Sequence, residues 1–208
     1  DSPGPFLLEV SHDWRNTTTP YGPLHLWMGN GVTHLVGDNV AAGIIVYKAI
    51  SVLGFAAIAW SIPRLARSIG GDPALALWLG VANPVMILHL IGGMHNESVM
   101  VGLVSLGLLA AVHHKFHLSL ILVGVAVSLK ATAVFAAPFI VWLMLHHWAP
   151  KGTKPLKRVG FFLLSGVIAV AEVALAVAAI TWASGSSWGW LSQISGNSKV
   201  INPLAGPT

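Results

Sequence analysis

Long apolar runs, each closed by proline, glycine or basic residues, constrain this chain more than any single motif in it. Val40 to Ile62 carries Lys48 as its one charged residue. At about 1.5 Å per residue, such a run is long enough to cross the ~30 Å hydrocarbon core of a bilayer. A backbone in hydrocarbon must satisfy its own hydrogen bonds, so runs of this kind fold as helices. Comparable stretches follow at 74–92, 98–112, 118–129, 131–148 and 160–183. The expected fold is an all-α polytopic membrane protein, a bundle of about six transmembrane helices over 40–183. An ordered extracytoplasmic loop, with at most short interfacial helices, is expected over 1–39, and an extracytoplasmic segment over 184–208.

Composition narrows the function classes. Of 208 residues, 55% are hydrophobic and only 9% charged, which argues against a soluble globule. The isoelectric point near 9.7 would suggest nucleic acid in a soluble domain. Here the basic residues lie in short loops beside apolar runs and no basic-aromatic binding module is visible, so the bilayer is the expected partner and nucleic acid is not. With no cysteine, disulfides, thiolate metal sites and cysteine nucleophiles are excluded within the chain. No glycine-rich nucleotide loop is present. The sequence starts inside a polar segment without an initiator Met, and reads as a piece of something longer.

Charge sets the orientation. Pro63-Arg64-Leu65-Ala66-Arg67 is expected to end the first span on the cytoplasmic side, and Asn83-Pro84 to kink the second. The stretch 116–148 fits either one over-long span or a hairpin at Lys130. Only the hairpin keeps Lys151, Lys154, Lys157 and Arg158 with Arg64, Arg67 and Lys115 on the inner side, leaving Arg15, Lys130 and Lys199 outside. The acids run the other way: Asp1, Glu9, Asp13, Asp38 and Glu97 fall outside and Asp72 inside. Two spans are short. Helices over 98–112 and 118–129 reach only about 22 and 18 Å, so Glu97 and Lys130 at their outer ends should line a cavity sunk into the outer leaflet.

That cavity suits transfer from a lipid phosphate, with Lys130 stabilising the leaving phosphate and Glu97 deprotonating an incoming hydroxyl. The stretch His89 to Ser98 adds His95 and Asn96 beside Glu97. Its imidazoles fit hydrogen bonding to substrate or backbone better than a metal site, because the spacing of His89, His95 and Glu97 has no strong precedent. No cofactor is implied, and a divalent metal is without support. Upstream, Pro20-Tyr21-Gly22-Pro23 fixes the backbone and presents Tyr21, with Trp14, Tyr21 and Trp27 suited to headgroup depth and Leu24 to Met28 to the interface. Lys48 and Glu172 are isolated intramembrane charges at similar depths, expected to pair. The same two residues support the rival reading of a secondary transporter. His113, His114, His117, His146 and His147 read as interfacial, and Gly54, Gly80, Gly102, Gly107 and Gly124 as close-packing positions between helices.

Trp14-Arg15-Asn16-Thr17 through Pro20-Tyr21-Gly22-Pro23-Leu24, Asn83-Pro84, and His89-Leu90 through Gly93-Met94-His95-Asn96-Glu97 together resemble the actinobacterial polyprenol-phosphate-mannose-dependent α-1,6-mannosyltransferases, membrane glycosyltransferases of the GT-C type. The resemblance implies a multi-pass plasma-membrane enzyme of the cell envelope with its site on the extracytoplasmic side. It implies a polyprenyl-phosphate mannose donor, a mannan or lipoglycan acceptor such as lipomannan, and inverting single displacement. The first-loop acid common in GT-C enzymes would fall before Asp1, leaving Glu97 and Asp13 as the catalytic candidates in the chain. Lys130, Arg15, His95, Asn96, His89 and Tyr21 are the expected substrate contacts.

Overall fold

The computed structural model describes residues 21–88, 90, 96–186 and 188–190, which are helical throughout with no strand among them. Eight α-helices follow in order: α1 Pro23–Val36, α2 Val40–Ser68, α3 Pro73–Gly80, α4 Pro84–Ile87, α5 Glu97–Val112, α6 Phe116–Leu129, α7 Ala137–Trp148 and α8 Pro155–Ala183, with a 3-10 helix, Ala131–Ala136, between α6 and α7. Three stretches are long and apolar enough to cross a membrane: α2, the continuous run Ala131–Trp148, and α8; α5 and α6 are shorter apolar helices. The large apolar side chains left exposed on α2 and α8, among them Leu53, Leu163, Val170 and Trp182, would be costly in water, so these faces are those of a membrane protein. A shallow apolar groove of about 470 Å³ between Phe162 and Ala171 belongs to the same outer face of α8.

Local chemistry sets the helix ends. Pro23 starts α1, where its missing N–H costs nothing. Gly37, at φ 57°, stops it in the left-handed region that glycine tolerates best. Asn39 then caps α2 by accepting from the Ala42 amide at 3.0 Å. Asp72 caps α3 by accepting from the Ala74 and Leu75 amides.

Two expectations are corrected here. Of the segment before the first span, residues 1–20 lie outside the described residues, and α1 occupies 14 of the rest. Pro63 does not end α2, which continues to Ser68. Proline removes one helical hydrogen bond, the one to Ala59 O, and beside it the Arg64 guanidinium, 4.1 Å from the centroid of the Trp60 ring, donates to the Trp60 carbonyl at 2.6 Å. At Asn83-Pro84 the chain breaks where a kink was expected. The Asn83 side chain donates to Leu79 O and accepts from Met86 N, closing α3 and opening α4 with one amide.

Lys130 breaks the 116–148 run as expected, at an extended φ of −151° and ψ of 127°. The run then folds back: the His114 ring stacks on His147 at 4.3 Å, and Phe116 meets Trp148 edge-on at 6.1 Å. Arg158 near the start of α8 reaches His146 at 3.4 Å, so the basic residues Lys115 and Arg158 lie toward one end of the bundle. Helix α6 is the hub. It packs against α5, α8, α1 and the 3-10 helix, with Leu120, Val123 and Ala126 completely buried. Trp190, expected in an outer segment, packs into this same core.

The depth of α5 is decided by glycine. Gly54 lies so close to Ser98 that a Cβ there would sit 2.6 Å from its carbonyl, and a Cβ on Gly102 would sit 2.7 Å from the Gly54 carbonyl. Small residues at such crossings let backbones approach. Gly54 is the midpoint of α2, 14 residues from Val40 and 14 from Ser68. The start of α5 therefore lies about 21 Å along α2 from Val40.

Candidate functional site

The first turn of α5 and the end of α6 meet at this recessed level, and the residues between them form the site. Glu97 opens α5, where the unsatisfied amides and the helix dipole favour a carboxylate. Lys130 follows the last residue of α6, its own amide donating to Ala126 O at 3.0 Å while its side chain leaves the helix. The Lys130 Nζ donates to Glu97 Oε1 at 2.5 Å. Both side chains are partly withdrawn from solvent, at 32% and 24% exposure, so the pair is neither a screened surface contact nor sealed off from a ligand.

Tyr21 and α1 close the site from the N-terminal side. Gly22 donates its amide to Leu129 O at 2.9 Å, and a Cβ at Gly22 would overlap the Ser128 carbonyl. This backbone contact clamps the start of α1 onto the end of α6, one residue from Lys130. Tyr21 is thereby held with its ring centroid 5.8 Å from Lys130 Nζ, a cation-π approach. His25, one turn along, lies 4.5 Å from the Tyr21 ring and bonds through Nδ1 to Asn96 Nδ2 at 2.6 Å. Burial pushes the His25 imidazole below its ordinary pKa, opposed in part by the nearby Glu97 carboxylate, which favours the charged form.

Of the expected site residues, Glu97, Lys130, Asn96 and Tyr21 come together. Asp13, Arg15, His89 and His95 lie outside the described residues, as does most of the stretch that joins His89 to Glu97. His25 was missed by the sequence reading. The available signal was its spacing of four from Tyr21, which shares a helical face only if a helix begins at Pro23. Among the described residues no group of three or more His, Cys, Asp or Glu is arranged to hold a metal.

The expected pairing of Lys48 with Glu172 is corrected. Glu172 Oε1 is bonded to His117 Nδ1 at 2.5 Å, so His117 is more than an interfacial ring. Lys48 lies on an exposed face of α2. Depth along a helix does not determine azimuth, and α8 meets α6 where α2 packs on α5. The two intramembrane charges thus form no common path, and the transporter reading loses the observation that motivated it.

Chemically, the junction offers a cation and a carboxylate that a phosphate would reorganise. An anionic oxygen arriving beside Lys130 competes with Glu97 for the ammonium and frees the carboxylate to accept a proton from a hydroxyl.

Comparison with known proteins bears on this chemistry. Residues 1–146 match the family model described as Alpha-(1->6)-mannopyranosyltransferase, N-terminal domain. The chain is 60% identical over its whole length to Alpha-(1->6)-mannopyranosyltransferase A of Corynebacterium glutamicum, covering 44% of that protein. It is 38% identical, again over its whole length, to the protein of the same name in Mycobacterium tuberculosis, covering 40% of it. A probable alpha-(1->6)-mannopyranosyltransferase of Mycolicibacterium smegmatis is 31% identical over 97% of this chain and is covered to 40%. The chain thus spans less than half the length of these relatives. No solved structure matches it.

Proposed function

This chain belongs to the alpha-(1->6)-mannopyranosyltransferase family, and from that premise we propose that it forms part of a GT-C enzyme that moves mannose from a polyprenyl-phosphate donor to a mannan or lipoglycan acceptor. In this reading transfer takes place on the outer side of the plasma membrane by inverting single displacement. The observation that carries it is the Lys130–Glu97 pair at the recessed ends of two short helices, a level where a lipid phosphate and a sugar hydroxyl can meet.

Each residue has a derivable task. Attack of the acceptor hydroxyl on the mannosyl anomeric carbon forms the new C–O bond and breaks the old one, and the phosphate departs with one more negative charge than it carried as a diester. Lys130 opposes that developing charge, an interaction stronger where water is scarce than in bulk. Glu97, released from Lys130 by the phosphate, takes the hydroxyl proton or orients the hydroxyl for an acid elsewhere in the whole protein. Asp13 is the second acid candidate, and Arg15, His89, His95, Asn96 and Tyr21 serve as substrate contacts in the same scheme.

The test uses the full-length protein in membranes with polyprenyl-phosphate mannose and a mannoside acceptor. Lys130→Ala is expected to lower turnover by about 10²- to 10³-fold, as for removal of an electrostatic transition-state contact. Glu97→Gln keeps the shape and removes the charge, and should cost about 10²- to 10⁴-fold if it is the base. A smaller loss assigns Glu97 to orientation. Parental turnover in both variants, with correct insertion, would remove the active site from this junction.

A further inference from the structure

Asn96 occupies the N-cap of α5, a position where an asparagine side chain ordinarily accepts from the amides of the first turn, yet it makes no capping hydrogen bond. Its amide instead reaches His25, 71 positions away in sequence, at 2.6 Å. The side chain thus makes a tertiary bond and no capping one, and the tertiary bond has a chemical consequence. With the amide nitrogen of Asn96 against the ring, Nδ1 must be the acceptor, so the proton of the neutral imidazole resides on Nε2. Among the described residues nothing bonds Nε2.

We propose that His25 and Asn96 form a tautomer-fixed pair, in which Asn96 positions a neutral imidazole so that its Nε2–H donates to an anionic oxygen of a phosphate-bearing substrate beside Lys130. The inference rests on the reading of this junction as the transferase site and extends it to a residue which that reading does not use. Both His25 and Lys130 border the Tyr21 ring, at 4.5 Å between ring centroids and 5.8 Å from Nζ to centroid, which gathers the two donors around one side chain. Neutrality matters because of what faces the ring. Glu97 is close enough to favour the imidazolium, and a charged His25 would compete with Lys130 for that carboxylate. Burial opposes this by keeping the ring uncharged, and the Tyr21 ring lies tilted against it. A neutral donor can therefore contact the phosphate while leaving the Lys130–Glu97 exchange intact.

The experiment has two arms, both on the full-length protein in lipid nanodiscs. In the first, ¹⁵N spectra of histidine-labelled protein at neutral pH report the His25 tautomer, the signal being assigned by its loss in His25→Gln. A proton on Nε2 is expected; a proton on Nδ1, or an imidazolium, overturns the proposal without reference to activity. In the second arm, transfer from polyprenyl-phosphate mannose is followed against pH. His25→Gln places an amide N–H at the reach of Nε2 and should keep most of the rate, whereas His25→Asn reaches only as far as Nδ1. The latter should lose about 10- to 100-fold, the range for removing one hydrogen bond to a charged oxygen. Asn96→Asp forces a proton onto Nδ1 and favours the imidazolium, so it should lower the rate and move the acidic limb of the profile to higher pH. A merely structural role would move no limb, and equal rates for the two His25 variants would refute the assignment. Parental rates in the His25 and Asn96 variants alongside losses in Lys130→Ala and Glu97→Gln would sink this inference alone. Parental rates in all of them would sink the site with it.

Discussion

Replacing Gly54 by Ala tests the link between helix packing and the site. A Cβ at Gly54 would lie 2.6 Å from Ser98 C, Ser98 O and Val99 N, where 3.4 Å begins ordinary contact, so the difference, 3.4 − 2.6, leaves about 0.8 Å of movement to be found. All three atoms are backbone, and none can rotate away. The first turn of α5 must therefore shift, and Glu97 is the residue immediately before Ser98. Overpacking of this kind costs about 1–3 kcal/mol. A displacement near 1 Å at a reacting group can cost about 10² in rate, so a tenfold to hundredfold loss of mannosyl transfer is expected. Gly166→Ala is the control, because nothing lies within 4 Å of its Cβ position and its φ is not left-handed. Thermal unfolding in nanodiscs and transfer in membranes would be measured for both variants. If Gly54→Ala keeps the parental midpoint and turnover, the crossing does not fix the depth of Glu97 and the packing argument is wrong.

The His117–Glu172 bond should appear in a double-mutant cycle of His117→Ala and Glu172→Gln, with a coupling of about 0.6 kcal/mol and a ceiling near 1.7, the range for polar pairs between membrane helices. Lys48→Gln should be additive with Glu172→Gln in the same unfolding assay; measurable coupling there would restore the discarded pair. His25 should make stability fall with acidity. Its folded pKa lies below the unfolded value of 6.5, so above 6.5 both states are neutral, and as pH drops through 6.5 toward the folded pKa the unfolded state takes up more protons. Unfolding followed between about pH 7 and 5 should show a loss that His25→Gln flattens, and an identical slope in that variant would exclude His25 as its source. Because the chain contains no cysteine, single-cysteine labelling of suitable cysteine-free full-length protein can read its sidedness. Lys115→Cys and Lys154→Cys should label from one side and Asp38→Cys from the other; labelling of all three from the same side would contradict the arrangement of helix ends.

A helical membrane protein was already legible in the sequence, because a nearly charge-free run such as Val40 to Ile62 has few other stable states in hydrocarbon. The sequence also exposed the two short apolar stretches ending at Glu97 and Lys130, and so brought these residues to the same end of the bundle. Charge distribution chose the fold-back at Lys130 that the contact of His114 with His147 displays. Local patterns failed elsewhere. Pro63 reads as a helix end, but the helix runs on through it to Ser68. Asn96 reads as a substrate contact, and its bond to His25, 71 positions away, is one that no local pattern announces. Lys48 and Glu172 match in depth, which periodicity and rise supply, yet not in azimuth, which depends on which helices are neighbours. The clamp of α1 on α6 through Gly22 and Leu129, by which Tyr21 and His25 join Lys130, Glu97 and Asn96, arises from packing between distant segments. That contact is a close approach of two backbones, permitted because Gly22 has no Cβ, and a missing atom announces no partner in a sequence.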